Sequence, residues 1–199
     1  SDILARAPGH IGAYLGLTAQ RMGPSDAIYA GFADSFIAQN NWAKLTQELE
    51  ETGNTEILKS YYQAPPEGCL KAQIDSINSF FGTPILADIV TSLIDDDSEF
   101  AQRALEAMRR NSPLSMACAL LIIDHLRASR GGLHEALNWE YRFTARSMEF
   151  GDFIEGIRAA IIDKDHKPDW KYAITGVPAG AIKRMLAPFS ESELRLQGE

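Results

Sequence analysis

Long apolar runs are absent. The longest spans residues 116–123, far short of the ~20 residues needed to cross a bilayer. The residues after Ser1 do not read as a secretory signal. Cysteine is scarce: Cys69 and Cys118 stand far apart, a spacing that supports neither a disulfide framework nor a zinc site. Cys69 lies in a Pro/Gly turn and Cys118 in an apolar run, so both are expected reduced, in a cytosol-like compartment. Basic residues are also few, 19 against 27 acidic ones for a net charge of -8. Nucleic-acid binders concentrate Lys and Arg to neutralise phosphates, so this balance argues against nucleic acid. It argues equally against an anionic membrane surface.

Catalytic and cofactor motifs are missing too. No GxGxxG or GxxxxGK[ST] phosphate loop occurs, and no GxSxG elbow. His10, His125, His134 and His166 are isolated, with no HxxxH or CxxC pair, so no metal site is expected. The trio Asp95, Asp96 and Asp97 lacks the alternating oxygen ligands and distant Glu of a calcium loop, and reads as a solvated helix start. Period-two alternation hardly appears, and no internal repeat is visible.

What remains is helical periodicity. Pro8 and Gly9 break the first helical stretch, after which Ile11, Tyr14, Leu15 and Thr18 share a face. Helices are expected over 25–31, 40–52, 54–62, 70–81, from Thr83-Pro84 onward, over 98–110, from Ser112-Pro113 to the Gly131-Gly132 pair, over 133–149, from Asp152, and over 178–187. Residues 32–37 allow at most one short strand. The run MACALLII implies burial on nearly all sides. Leu133, Leu137, Tyr141, Ala145 and Met148 form the predicted inner stripe of the 133–149 helix. Asp152 with Glu155, and Ser190 with Glu193, have capping-box spacing. Hydrophobic residues at 45% and charged residues at 23% are ordinary globular values.

Carboxylates offer the remaining chemistry. Glu140 and Glu155 sit on helices with Arg142, Arg146 and Arg158, a pattern that reads first as structural ion pairs at i,i+3. The segment FGDFIEGIRAAIIDKDHKPDWKY, residues 150–172, stands apart. Gly156 sits inside its helix at a cost of about 1 kcal/mol relative to Ala, which suggests close packing. Lys164 and Lys167 beside Trp170 suit an anionic, aromatic-bearing ligand such as a nucleotide. A charged turn followed by a strap onto the body fits the same residues.

The run NWEYRFTARSMEFGDFIEGIRAAIIDKDHKPDW resembles the C-terminal region of the 3-hydroxyisobutyryl-CoA hydrolases of the crotonase (enoyl-CoA hydratase/isomerase) superfamily. The carrying residues are EYR at Glu140–Arg142, DFIEGIRA at Asp152–Ala159, IDKD at Ile162–Asp165, and the following Pro168 and Trp170. GAYLGLTAQRMGPSDAIYAGFADSFI and SPLSMACALL are similar to further segments of that family, whereas residues 40–110 agree mainly in the order of elements. The resemblance implies a mainly α chain, the C-terminal helical part of a crotonase-type fold. Residues 1–38 would close the core region and 39–199 form the helical domain.

The resemblance implies hydrolysis of 3-hydroxyisobutyryl-CoA or a similar short 3-hydroxyacyl-CoA. A hydratase or isomerase of the same superfamily, and a non-catalytic helical scaffold, are the alternatives. Such chemistry needs an oxyanion hole and carboxylates. The family places both upstream of the position of Ser1, which is not an initiator Met, so a piece of a longer protein is expected and no catalytic residue is carried over. Phe153, Arg158, Lys164 and Trp170 are the expected substrate-binding residues, with Lys164 toward a CoA phosphate. No separate cofactor is expected, coenzyme A being part of the substrate. The implied partners are an acyl-CoA, the N-terminal half of the same enzyme, and further copies in a homo-oligomer. The implied location is cytoplasmic, or the mitochondrial matrix in a eukaryote.

Overall fold

The computed structural model describes residues 1–130, 132–189 and 194. In chain order the helices are α1 (Asp2–Arg6), α2 (Ile11–Thr18), α3 (Pro24–Tyr29), α4 (Trp42–Thr52), α5 (Ile74–Phe81), α6 (Leu86–Ile94), α7 (Glu99–Arg109), α8 (Pro113–Ser129), α9 (Leu133–Arg146), α10 (Phe153–Ile157) and α11 (Ala179–Leu186). Short 3-10 turns cover Gln39–Asn41 and Thr55–Tyr61, and a π-helical turn, Arg158–Ile162, continues α10. Among the described residues β pairing is confined to an isolated Phe36–Gln63 bridge. The chain is mainly helical, as the periodicity implied.

Contacts divide the chain into two units, one of residues 1–20 and 74–199, the other of residues 21–73. Within the smaller unit an isolated bridge ties Phe36 to Gln63. In that unit Asp26 is buried and organises the turn after the prolines. Its Oδ1 accepts the Leu70 N–H at 2.8 Å, and a β-carbon on Gly68 would come within 2.3 Å of the same oxygen.

In the larger unit α8 is the central helix, packed against α1, α2, α6, α9 and α11. Its Leu114, Met116, Ala117, Cys118, Leu120, Ile122, Ile123 and Leu126 are all buried, which is why the run MACALLII carries no polar face. Helix α1 crosses α2 so closely that a β-carbon on Gly12 would lie 1.9 Å from the Leu4 carbonyl oxygen. An aromatic cluster links α2, α5 and α7: the Tyr14 ring meets Phe81 edge-on at 5.2 Å and stacks on Phe100 at 5.6 Å. Aromatic pairs of this geometry add to their area burial.

Several ends differ from the sequence expectation. Ser112 caps α8 through its side-chain oxygen as read, and Ser98 caps α7 in the same way. Thr83 and Pro84 instead form a turn ahead of α6, with Thr83 Oγ accepting the Ile85 N–H. Residues 54–62 form a 3-10 turn, and residues 70–73 precede α5 as turns. Helix α8 ends on Arg130 in the left-handed region, φ 52°; Gly131 lies outside the described residues. The Ser190/Glu193 cap also lies outside them.

The largest difference is in α9. Leu133, Tyr141 and Met148 of the predicted inner stripe are 62%, 37% and 65% exposed. The helix instead turns Ala136, Trp139 and Phe143 toward the core with Leu126, Met185 and Leu186. Two bulky aromatics bury more apolar area than the stripe would, so the 3.6-residue period was set by the wrong residues. Replacing Leu126 with Ala should cost about 2–5 kcal/mol in urea melts. The Leu133→Ala change should stay within about 0.5 kcal/mol. Comparable losses for the two would return the outer stripe of α9 to the core.

Candidate functional site

The site begins at the α8 N-terminus. Ser112 Oγ accepts the Ser115 N–H at 3.1 Å and donates to Asp152 Oδ2 at 2.5 Å. Asp152 is 5% exposed, and its other oxygen accepts the Lys171 N–H at 3.2 Å. A carboxylate out of water must be hydrogen-bonded to be tolerated. Asp152 therefore makes no side-chain cap to its own helix, contrary to the predicted capping box, because the cap, α8 and residue 171 compete for the same oxygens.

Two cavities flank this node. The larger, about 570 Å³, is bounded by Leu4, Gly16, Met116, Ile123, Glu140 and Thr144. The smaller, about 280 Å³, is bounded by Gly151, Phe153, Gly156, Ile157 and Ile161. Ser112, Ser115, Phe143 and Trp170 border both. Their walls are mostly apolar with a few hydroxyls, the usual make-up of a small-molecule pocket. Trp170 lies against Gly156, where a β-carbon would meet the ring at 3.7 Å, an ordinary contact, so the packing that the glycine suggested does not require a glycine. The buried Trp170 indole N–H has no acceptor among the described residues.

The structure brings Phe153 and Trp170 together at the smaller cavity. Phe153 is 51% exposed there. Arg158 and Lys164 border neither cavity. Lys164 is exposed on the following loop, with φ 55°. Arg158 is held by Glu155 at 2.7 and 2.9 Å, by Asp163 at 2.7 Å and by Asp165 at 2.8 Å. The i,i+3 ion pair Glu155–Arg158 is the structural pair that spacing allowed. Ser112, Ser115 and Phe143 escaped the sequence reading as site residues. Ser112 looked only like a cap, and nothing local links it to Asp152, 40 positions away.

Among the described residues no three His, Cys, Asp or Glu side chains gather to hold a metal. Burial pushes the Cys118 thiol up to about 12, so it stays protonated and packs as a small hydrophobe. No described helix is long and apolar enough to cross a membrane.

Glu155 is held down to about 2, first by its hydrogen bonds from Arg158 and then by the Asp169 N–H. A carboxylate with a depressed folded-state pKa stabilises above its unfolded value of ~4.3, and that contribution is lost as pH falls through the folded value. The Asp169 amide resonance should accordingly titrate near pH 2. A midpoint at the free-Glu value would show that Arg158 does not hold this carboxylate.

The family model for enoyl-CoA hydratase/isomerase matches residues 1–186. The mitochondrial 3-hydroxyisobutyryl-CoA hydrolase of Gallus gallus is 31% identical over 97% of this chain and 53% of its own length. That of Homo sapiens is 32% identical over 85% of this chain and 46% of its own. A solved structure of an enoyl-CoA hydratase from Rhodobacter sphaeroides superposes with a TM-score of 0.90 at 44% identity, covering 98% of this chain and 56% of that one. A carnitinyl-CoA dehydratase from Mycobacterium thermoresistibile gives 0.89 at 28% identity, covering 100% and 57%. The chain spans about half the length of the curated relatives it matches. With a crotonase-type arrangement of helices and a family match that runs from α1 to the end of α11, the chain belongs to the enoyl-CoA hydratase/isomerase family.

Proposed function

We propose that this chain is the C-terminal portion of a CoA-thioester hydrolase acting on 3-hydroxyisobutyryl-CoA or a similar short 3-hydroxyacyl-CoA. The carrying observation is one of place. The residues that carry the resemblance, Glu140–Arg142 and Asp152–Ala159 with Trp170, are the ones that bring Glu140, Asp152, Phe153, Gly156 and Trp170 to the two cavities. The similarity to 3-hydroxyisobutyryl-CoA hydrolases over most of the chain supports the acyl group.

In this reading the chain supplies a wall of the acyl-CoA site. Phe143, Phe153 and Trp170 give apolar surface, and Ser112 and Ser115 give hydroxyls. Lys164 is exposed and free to approach a phosphate. The charge that develops on the thioester oxygen needs preorganised N–H donors, and proton transfer needs carboxylates. Both are assigned to the N-terminal half of the same enzyme, and self-association is left to the helical part that this chain supplies. No cofactor beyond the CoA of the substrate is required. The mitochondrial names of the relatives favour the matrix if the source is eukaryotic, and the cytoplasm otherwise.

One observation favours a second reading. The enoyl-CoA hydratase structure shares 44% identity with this chain, more than the Gallus gallus and Homo sapiens hydrolases do, and supports hydration of an α,β-unsaturated acyl-CoA. The intact protein, purified from its own cells, decides between them. It should release free CoA thiol from 3-hydroxyisobutyryl-CoA, while consumption of the unsaturated thioester without thiol release would establish the hydratase. The isolated chain should release no thiol at an enzyme-like rate; if it did, the catalytic groups would have to lie within these residues. Trp170→Ala should raise KM for the thioester by roughly tenfold, the value of about one lost stacking contact, with the melting temperature as control for folding.

A further inference from the structure

An Arg guanidinium has five N–H donors in a rigid fork, and at Arg158 each of them is used. Nε–H donates to Glu155 Oε2, the two Nη2 hydrogens to Glu155 Oε1 and the Lys167 carbonyl, and the two Nη1 hydrogens to Asp163 Oδ2 and Asp165 Oδ2. No donor is left for a ligand phosphate. What the fork does is fold the loop after the π-helical turn back on α10. Inside that loop the His166 N–H returns to the Ala159 carbonyl, the Lys167 N–H to Asp165 Oδ1 and the Asp169 N–H to Glu155 Oε1. Lys164 and His166 take left-handed φ of 55° and 53°, a region that β-carbons disfavour. The next residue in line is Trp170, wall of both cavities.

The geometry points to Arg158 as a positioning residue: it sets the 163–169 loop, and so Trp170, without itself touching the substrate. This replaces the direct ligand role expected of Arg158 and rests on the acyl-CoA reading of the cavities. A carboxylate on each side of the guanidinium is what a Lys could not bridge, since an ammonium is a point charge without a fork.

The test uses the intact protein, unsubstituted and with Arg158→Gln, and the milder Asp165→Asn should Arg158→Gln fail to fold. Two substrates are compared, 3-hydroxyisobutyryl-CoA and the same acyl group on phosphate-free pantetheine. A positioning role raises KM for both by the same factor, roughly tenfold for a shift worth about one hydrogen bond, with kcat little changed. A merely structural role lowers kcat with the folded fraction and leaves KM alone, which would overturn the assignment. So would a KM rise confined to the CoA thioester, the mark of a direct phosphate contact. Hydrogen exchange is read in parallel without substrate. The amides of His166, Lys167, Asp169 and Lys171 should lose protection in Arg158→Gln while those of α8 keep it. Unchanged protection would overturn the proposal. Lost protection, with neither thioester turned over by the unsubstituted protein, would remove the thioester reading and leave the positioning role standing.

Discussion

A buried hydrogen bond, Ser112 Oγ to Asp152 Oδ2 at 2.5 Å, is the constraint on which the rest of the site depends. Removing a carboxylate from water is costly unless its lone pairs are met. Asp152 meets them with a hydroxyl from the α8 cap and the main-chain N–H of Lys171. Its demand for partners therefore joins three stretches that sequence keeps apart: the start of α8, the start of α10 and the strand of loop after Pro168. Trp170 precedes Lys171, whose N–H ties the main chain to Asp152, and Ser112 and Trp170 are neighbours on both cavities.

The helices were legible where local chemistry alone decides. Ser112 caps as read because its oxygen need reach only three residues onward. The run MACALLII is buried because an all-apolar helix has no other stable place. Legibility failed where distant groups outbid local ones. Asp152 and Glu155 have capping-box spacing, yet Asp152 serves Ser112 and Lys171, and Glu155 serves Arg158 and Asp169. In α9 two apolar sets lie at helical spacing, and only the packing of Trp139 and Phe143 beside Leu126 and Met185 shows which faces inward. Likewise Arg158 reads as a ligand-ready cation until its three carboxylate partners are seen in space, with Asp163 and Asp165 brought to it by the π-helical turn and the loop that follows.

The two cavities differ in what fixes them. Met116, Ile122 and Ile123 border the larger one and are nonetheless almost closed to water. Ile123 packs on α2 at Gly16, and Ile122 packs in the core with Ala136 and Met185, where close packing makes volume changes expensive. The α8 side of the larger cavity is thus an extension of the core and cannot alter without disturbing α8, while Trp170 closes the cavity from the loop side. The smaller cavity rests on Phe153 and Ile161, both well exposed, and on a loop whose shape comes from ion pairs around Arg158. Exposed ion pairs of that kind are individually weak and act only as a network. A surface built this way divides its labour. Core packing holds the α8 side, and a network of exposed ion pairs holds the side after residue 150.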